Sequence, residues 1–200
     1  MHKTSKRYLP TYTLIALNVA IYILTSVIGN NFIYTSQSVI LQYGQVNAFV
    51  IEYGWYWQLF TSMFIHVNIV HLFGNMMFLL IFGLRAEEFF DLKEYMLIYF
   101  LSGITGNLLT LLLPDVISAG ASGAIFGVFG ASVIYLRRTI GQSIMTALVY
   151  AFFLFFINIG PGVNILAHLG GLIVGLLIGY ELGARRRLGA TYSYRVTYST

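Results

Sequence analysis

Gly120-Ala121-Ser122-Gly123-Ala124-Ile125-Phe126-Gly127 opens an apolar run that continues to Tyr135, and a later apolar run carries Ala167-His168-Leu169-Gly170-Gly171. A hydroxyl and an imidazole thus stand near the heads of two stretches suited to lipid, where polar side chains are costly and tend to mark sites. Whether they meet depends on how the chain crosses the membrane.

Of the 200 residues, 58% are hydrophobic and only 9% charged, with a mean hydropathy of +0.79, against about 25% charged in ordinary soluble domains. This is the composition of a membrane protein, and apolar runs of helix-spanning length make the expected class all-α. Once spans of roughly 20 residues are laid out, residues 1–200 read as a single membrane domain with no separate soluble unit. Cysteine is absent, which removes disulfides, thiol nucleophiles and thiolate metal sites. The net charge of +4 and pI near 9.3 matter less than where the charges fall.

Six apolar segments are expected to span the membrane, at about residues 11–28, 68–84, 95–113, 122–135, 143–159 and 164–182. The first reads as a retained span, since no small-residue cleavage site follows it. With both termini cytoplasmic, Lys3, Lys6 and Arg7, Arg85 and Lys93, Arg137 and Arg138, and Arg185, Arg186, Arg187 and Arg195 all fall inside. That placement follows the positive-inside rule, and an odd span count would scatter them. Residues 29–67 then form a long outer segment with Tyr34, Tyr43, Tyr53, Trp55, Tyr56 and Trp57. Such rings favour the headgroup region, as a belt that sets depth or as a gating element that faces substrate.

Spans 2, 4 and 6 run from outside to inside, so their heads share one depth. Span 2 contributes His71 and Asn75 on one helix face, with His66 just before them. Span 4 contributes Ser122. Span 6 contributes His168, six residues past Gly162 and hence at most about 9 Å down a helix. Taken singly, a serine in an apolar helix is ordinarily a packing residue, and each of the other groups has a structural use as a cross-helix bond. The glycines join them. Gly123, Gly127 and Gly130 on span 4 and Gly171, Gly175 and Gly179 on span 6 let two backbones approach closely, and His168 lies on the stripe's own face.

A serine attacks an amide only if a base takes its proton and donors stabilise the resulting oxyanion. His168 is the available base. Asp115 and Glu52 lie in outer segments, and Glu87, Glu88, Asp91, Glu94 and Glu181 lie toward the inside, so a dyad is expected rather than a Ser-His-Asp triad. Phe126, one turn after Ser122, is placed to stack on the imidazole. The Ser122 backbone N–H, the Asn75 amide and the His71 ring are candidate oxyanion donors. No His-Glu-x-x-His stretch is present, and both aspartates lie outside the spans, which disfavours zinc and aspartyl hydrolysis.

These residues carry a resemblance to the rhomboid family of intramembrane serine proteases. Gly120-Ala121-Ser122-Gly123 resembles the family's nucleophile motif, and Ala167-His168-Leu169-Gly170-Gly171 through Gly175 resembles its histidine motif. His66, His71 and Asn75 match its second-span spacing, and Gly83 and Glu87 resemble its glycine and glutamate at the inner end of that span. The resemblance implies a six-helix bundle with Ser122 as nucleophile, His168 as general base and His71 with Asn75 as oxyanion stabilisers. It implies Phe126, Gly120, Gly123, His66 and Glu87 in support. One departure is Trp57-Gln58, where the family often has Trp-Arg in the first outer loop, which bears on how that loop is anchored.

The expected function is intramembrane serine endopeptidase, cutting membrane proteins in or near their transmembrane segments. The partners implied are transmembrane protein substrates and the lipid bilayer, with no nucleic acid, no metal and no cofactor. The expected location is a prokaryotic cell membrane with the site opening outward. Two rival readings are a non-catalytic rhomboid-like protein that binds membrane helices and a small transporter or channel. Polar groups gathered at one depth, rather than along a path, disfavour the second rival.

Overall fold

The computed structural model describes residues 9–141 and 163–197, with the single positions 143, 145 and 149 between them. In chain order the elements are α1 (Leu9–Ile28), α2 (Gln37–Tyr43), β1 (Gln45–Val46), α3 (Asn47–Tyr53), α4 (Gln58–Thr61), a 3-10 turn (Ser62–Phe64), α5 (Ile69–Phe89), α6 (Leu92–Thr110), β2 (Ile117–Ser118), α7 (Ser122–Thr139) and α8 (Ile165–Thr197). The expected span at 143–159 lies outside the described residues apart from 143, 145 and 149.

Among the described residues, three helices are long and apolar enough to cross a membrane: α1, α5 and the stretch Ile165–Arg186 of α8. Helices α6 and α7 cover the segments expected as third and fourth spans but are not apolar enough to join those three, and their composition has a physical reason. Every residue from Gly123 to Ser132 of α7 is buried, so this helix faces other helices and needs small residues more than lipid-facing ones. Its neighbour α6 buries Ser102, Asn107 and Thr110.

Helix ends follow local chemistry. Asn68 is the N-cap of α5 rather than its first residue, its side chain accepting from His71 N at 2.8 Å. Asp91 and Glu94 form a reciprocal capping box that starts α6 at Leu92, three residues ahead of the expected start. Helix α6 ends at Thr110 through short turns at Leu111 and Leu112 that approach Pro114. Helix α8 continues to Thr197, past the apolar stretch expected to end at 182, with an Arg185–Glu181 pair at 2.8 Å on its surface.

Helices α7 and α8 pack in parallel on their glycine faces. A methyl carbon added at Gly171, Gly175 or Gly179 would fall on the carbonyl oxygen of Gly123, Gly127 or Ala131 respectively. The four-residue step on both sides is the contact a small-xxx-small stripe makes. Helix α6 closes against the same end of α8, where a Cβ on Gly170 would lie 2.8 Å from the Gly106 Cα.

The segment before α5 is a folded layer rather than a loose loop. Strands β1 and β2 pair antiparallel, Gln45 with Ser118 and Val46 with Ile117. Buried amide side chains hold the layer down. Asn47 donates to Thr110 O at 2.7 Å, Gln45 to Asn107 O at 2.9 Å, and Asn107 to Leu59 O at 2.8 Å. Gln58, fully buried, accepts from Val46 N at 2.8 Å and donates to Leu41 O at 2.8 Å. The Trp57-Gln58 pair therefore anchors this layer without an arginine. Trp55 stacks on Trp57 at 5.1 Å, while Tyr34, Tyr43, Tyr53, Tyr56 and Trp57 remain exposed.

Candidate active site

Ser122 is the first residue of α7, and the backbone leading to it is built for close approach. Gly120 has φ +128°, a conformation that side-chain-bearing residues rarely adopt. A Cβ there would lie 2.8 Å from His71 Cε1 and 2.9 Å from His71 Nε2. Gly120 also donates its N–H to Ser62 O at 2.9 Å, which ties the turn to the layer before α5. The start of α7 presents backbone N–H groups without helical partners at the serine.

His168 stands in the first turn of α8. Its Nε2 lies 2.8 Å from Ser122 Oγ. Phe126 stacks on the imidazole with ring centroids 4.4 Å apart and planes 21° apart. The expected stacking is present, and Gly123, with Ala167 O only 3.1 Å from its missing Cβ, allows the helices to close around the pair. His168 is 7% exposed, and among the described residues no carboxylate bonds its ring. The arrangement is a dyad.

A cavity of about 540 Å³ opens onto the dyad, bounded by His71 and Asn75 of α5, Ser118 and Gly120 before α7, and Asn164 before α8. Helices α5, α7 and α8 thus bring their polar heads to one chamber. His71 Nε2 and Asn75 Nδ2 both flank Gly120, the latter 3.9 Å from its missing Cβ. Asn75 Nδ2 spends one of its two hydrogens on His71 O at 2.9 Å, which leaves the second for the chamber.

The supporting residues separate into two groups. His66 is 1% exposed and sits behind His71, ring edge to ring face with centroids 5.3 Å apart; it does not line the cavity. Burial, and secondarily the neighbouring His71 ring, push the His66 pKa down to about 3. Glu87 lies at the far end of α5, about 24 Å along the helix from His71 at 1.5 Å per residue. There it accepts from Thr11 N at 2.9 Å in the first turn of α1, while Gly83 makes room for Thr11 and Tyr95, whose hydroxyls lie 3.0 Å apart. Glu87 holds helix ends together and is remote from the dyad.

Sequence reading missed Asn164. Its side chain donates to Ser118 Oγ at 2.7 Å and to Thr110 Oγ1 at 3.0 Å, and accepts from Ala167 N at 3.0 Å. The available signal was an asparagine four residues before His168 at the head of an apolar helix. Its partners, from a strand and from α6, leave no mark in a linear pattern.

Residues 53–185, described as a Rhomboid domain, match the Rhomboid family and contain every site residue named above. Rhomboid protease GluP of Bacillus subtilis (strain 168) is 32% identical over 186 residues, covering 86% of this chain and 34% of its own length. RHOMBOID-like protein 6, mitochondrial, of Arabidopsis thaliana is 41% identical over 133 residues, 63% of this chain and 43% of its own. Rhomboid-like protease 3 of Toxoplasma gondii is 36% identical over 134 residues, 61% of this chain and 50% of its own. The chain spans half or less of the length of these curated relatives. On a match that runs from the layer before α5 through both halves of the dyad, the chain belongs to the rhomboid family.

Proposed function

We propose that this chain is an intramembrane serine endopeptidase that cleaves membrane proteins in or near their transmembrane segments. The observation that carries the reading is the 2.8 Å approach of His168 Nε2 to Ser122 Oγ inside an open chamber. Ser122 Oγ attacks the scissile carbonyl carbon as its proton passes to His168 Nε2, and the C=O electron pair moves onto oxygen. The Ser122 N–H, His71 and Asn75 stabilise that oxyanion. Collapse breaks the C–N bond, and His168 gives the proton to the leaving amine. Water, deprotonated by His168, then cleaves the acyl-Ser122 ester and regenerates the hydroxyl.

The protein crosses the membrane six times with both termini cytoplasmic, which keeps its basic residues inside. The chamber opens on the outer side. The exposed aromatic residues of the layer before α5 sit at headgroup depth, and transmembrane proteins are the substrates. A prokaryotic cell membrane is supported by the Bacillus relative, whose alignment covers 86% of this chain against 63% for the Arabidopsis one.

Purified protein in detergent is expected to be labelled by a fluorophosphonate probe, and Ser122→Ala to abolish labelling. Equal labelling of both proteins would sink the nucleophile assignment. Cleavage of a model transmembrane substrate, lost in His168→Ala, separates hydrolysis from mere helix binding.

A further inference from the structure

Glycine faces bring α7 and α8 together, with Leu172 seated against Gly130 further along, but at the Ser122 end the stripe itself offers little to resist small shifts or rotation. Reaction is sensitive to such motion, since a misplacement of about 1 Å can cost on the order of 10²-fold in rate. Something other than the glycine stripe must set the register that puts His168 Nε2 at Ser122 Oγ.

The structure contains a second rung beside the dyad. Asn164 precedes His168 by four residues, one helical turn, and Ser118 precedes Ser122 by four. The Asn164–Ser118 bond at 2.7 Å and the His168–Ser122 contact at 2.8 Å therefore have the same separation of 46 residues. The Asn164 carboxamide uses both of its ends. Nδ2 donates to Ser118 Oγ and, at 3.0 Å, to Thr110 Oγ1, which itself donates to Gly106 O at 2.9 Å. Oδ1 accepts from Ala167 N at 3.0 Å, and the Asn164 carbonyl accepts from His168 N at 3.2 Å. One side chain thus fastens the first turn of the helix bearing the base to the strand that leads into the nucleophile. It fastens that turn equally to the end of α6.

We propose that Asn164 is a positioning residue for the dyad: its amide, bonded to Ser118 and Thr110, sets the register of α8 and so holds His168 Nε2 at Ser122 Oγ. The inference rests on the dyad hydrolysis proposed above. It differs from a simple helix cap, for which only Oδ1 matters.

Asn164→Ser separates the two roles. A serine still caps the helix through its hydroxyl and adds no charge, but it is too short to reach Ser118. With a model transmembrane substrate, kcat is expected to fall by about tenfold or more with KM within about twofold, the pattern of lost alignment rather than lost binding. Fluorophosphonate labelling slows in parallel. Ser118→Ala gives a smaller loss because Thr110 remains, and the double variant is no slower than Asn164→Ser alone. In spectra of ¹⁵N-histidine-labelled protein, the His168 Nε2 resonance moves toward that of an unbonded imidazole in Asn164→Ser.

Wild-type kcat and labelling in Asn164→Ser, or a loss of thermal stability alone, would overturn the positioning role and leave a cap. If wild-type protein neither labels nor cleaves, the hydrolase reading fails. The His168 resonance still decides the rung in that case: a shift in Asn164→Ser supports it, and an unchanged resonance overturns it.

Discussion

At the scale of single residues, the site depends on one missing side chain as much as on those present. Gly120 combines φ +128° with a Cβ position 2.8 Å from the His71 ring. Gly120→Ala must strain the turn, at a cost of about 1–3 kcal/mol, and must displace His71 from the chamber wall. We expect kcat/KM to fall by about 10²-fold, the scale of losing one oxyanion donor, together with a lower thermal midpoint. Near-wild-type labelling of that variant would remove His71 and the Gly120 turn from the mechanism. His66 makes a pH prediction. Its folded pKa of about 3 lies below the ordinary 6.5, so between those values the unfolded chain binds a proton that the native state refuses. The His66 contribution is therefore fully present above pH 6.5 and is lost at up to about 1.4 kcal/mol per pH unit as pH falls toward 3. In ¹⁵N spectra of folded protein the His66 ring should stay neutral at pH 5; a midpoint near 6.5 would contradict its burial. Ser122, His168, His71 and Asn75 were legible because a few polar groups stand out in apolar helices. Asn164 was not, and Gln58 stood out only as a departure that left the anchoring of its loop open, because an amide's partners come from elements distant in the chain.

At the scale of elements, the α7–α8 contact is the joint that creates the dyad. Gly175 has the Gly127 carbonyl oxygen where its Cβ would be. Gly175→Ala should therefore push the helices apart, lowering stability by about 1–3 kcal/mol as overpacked cores do and slowing fluorophosphonate labelling. Gly74 is the matched control. A Cβ there meets nothing within 4 Å, so Gly74→Ala should leave thermal stability equal or raise it by up to about 1 kcal/mol through helix propensity. If the two variants melt alike, backbone contact between α7 and α8 is not what the stripe provides. The stripe itself was visible in the sequence, since a four-residue spacing on a helix marks one face. That α7 is buried around its whole circumference was not, because the identity of a helix's neighbours depends on how every other helix packs.

At the scale of the whole molecule, the bundle is fastened at the end away from the dyad as well as beside it. Away from the dyad, Arg186 of α8 donates to Glu94 Oε2 at 2.6 Å, to Tyr135 Oη at 2.8 Å and to the Phe89 carbonyl, which links α5, α6, α7 and α8. The Arg186 side chain is 40% exposed and the Glu94 side chain 22%, so solvent screening keeps the pair's worth within about 1 kcal/mol. Arg186→Ala should lower the thermal midpoint slightly and leave the labelling rate at Ser122 unchanged. A large loss of labelling would mean that the far end of the bundle controls the dyad.

The amino-acid sequence by itself determined the membrane character, the helical faces and the choice of Ser122 and His168 as candidates, because hydropathy, periodicity and rare polar groups are properties of neighbouring positions. Only the tertiary structure decided the 2.8 Å geometry, the place of His66 behind His71, the remoteness of Glu87 and the Asn164 rung. Each of those joins groups from elements far apart in the chain. Their distances are set by how helices, strands and buried amides pack at once, which no single stretch of sequence encodes.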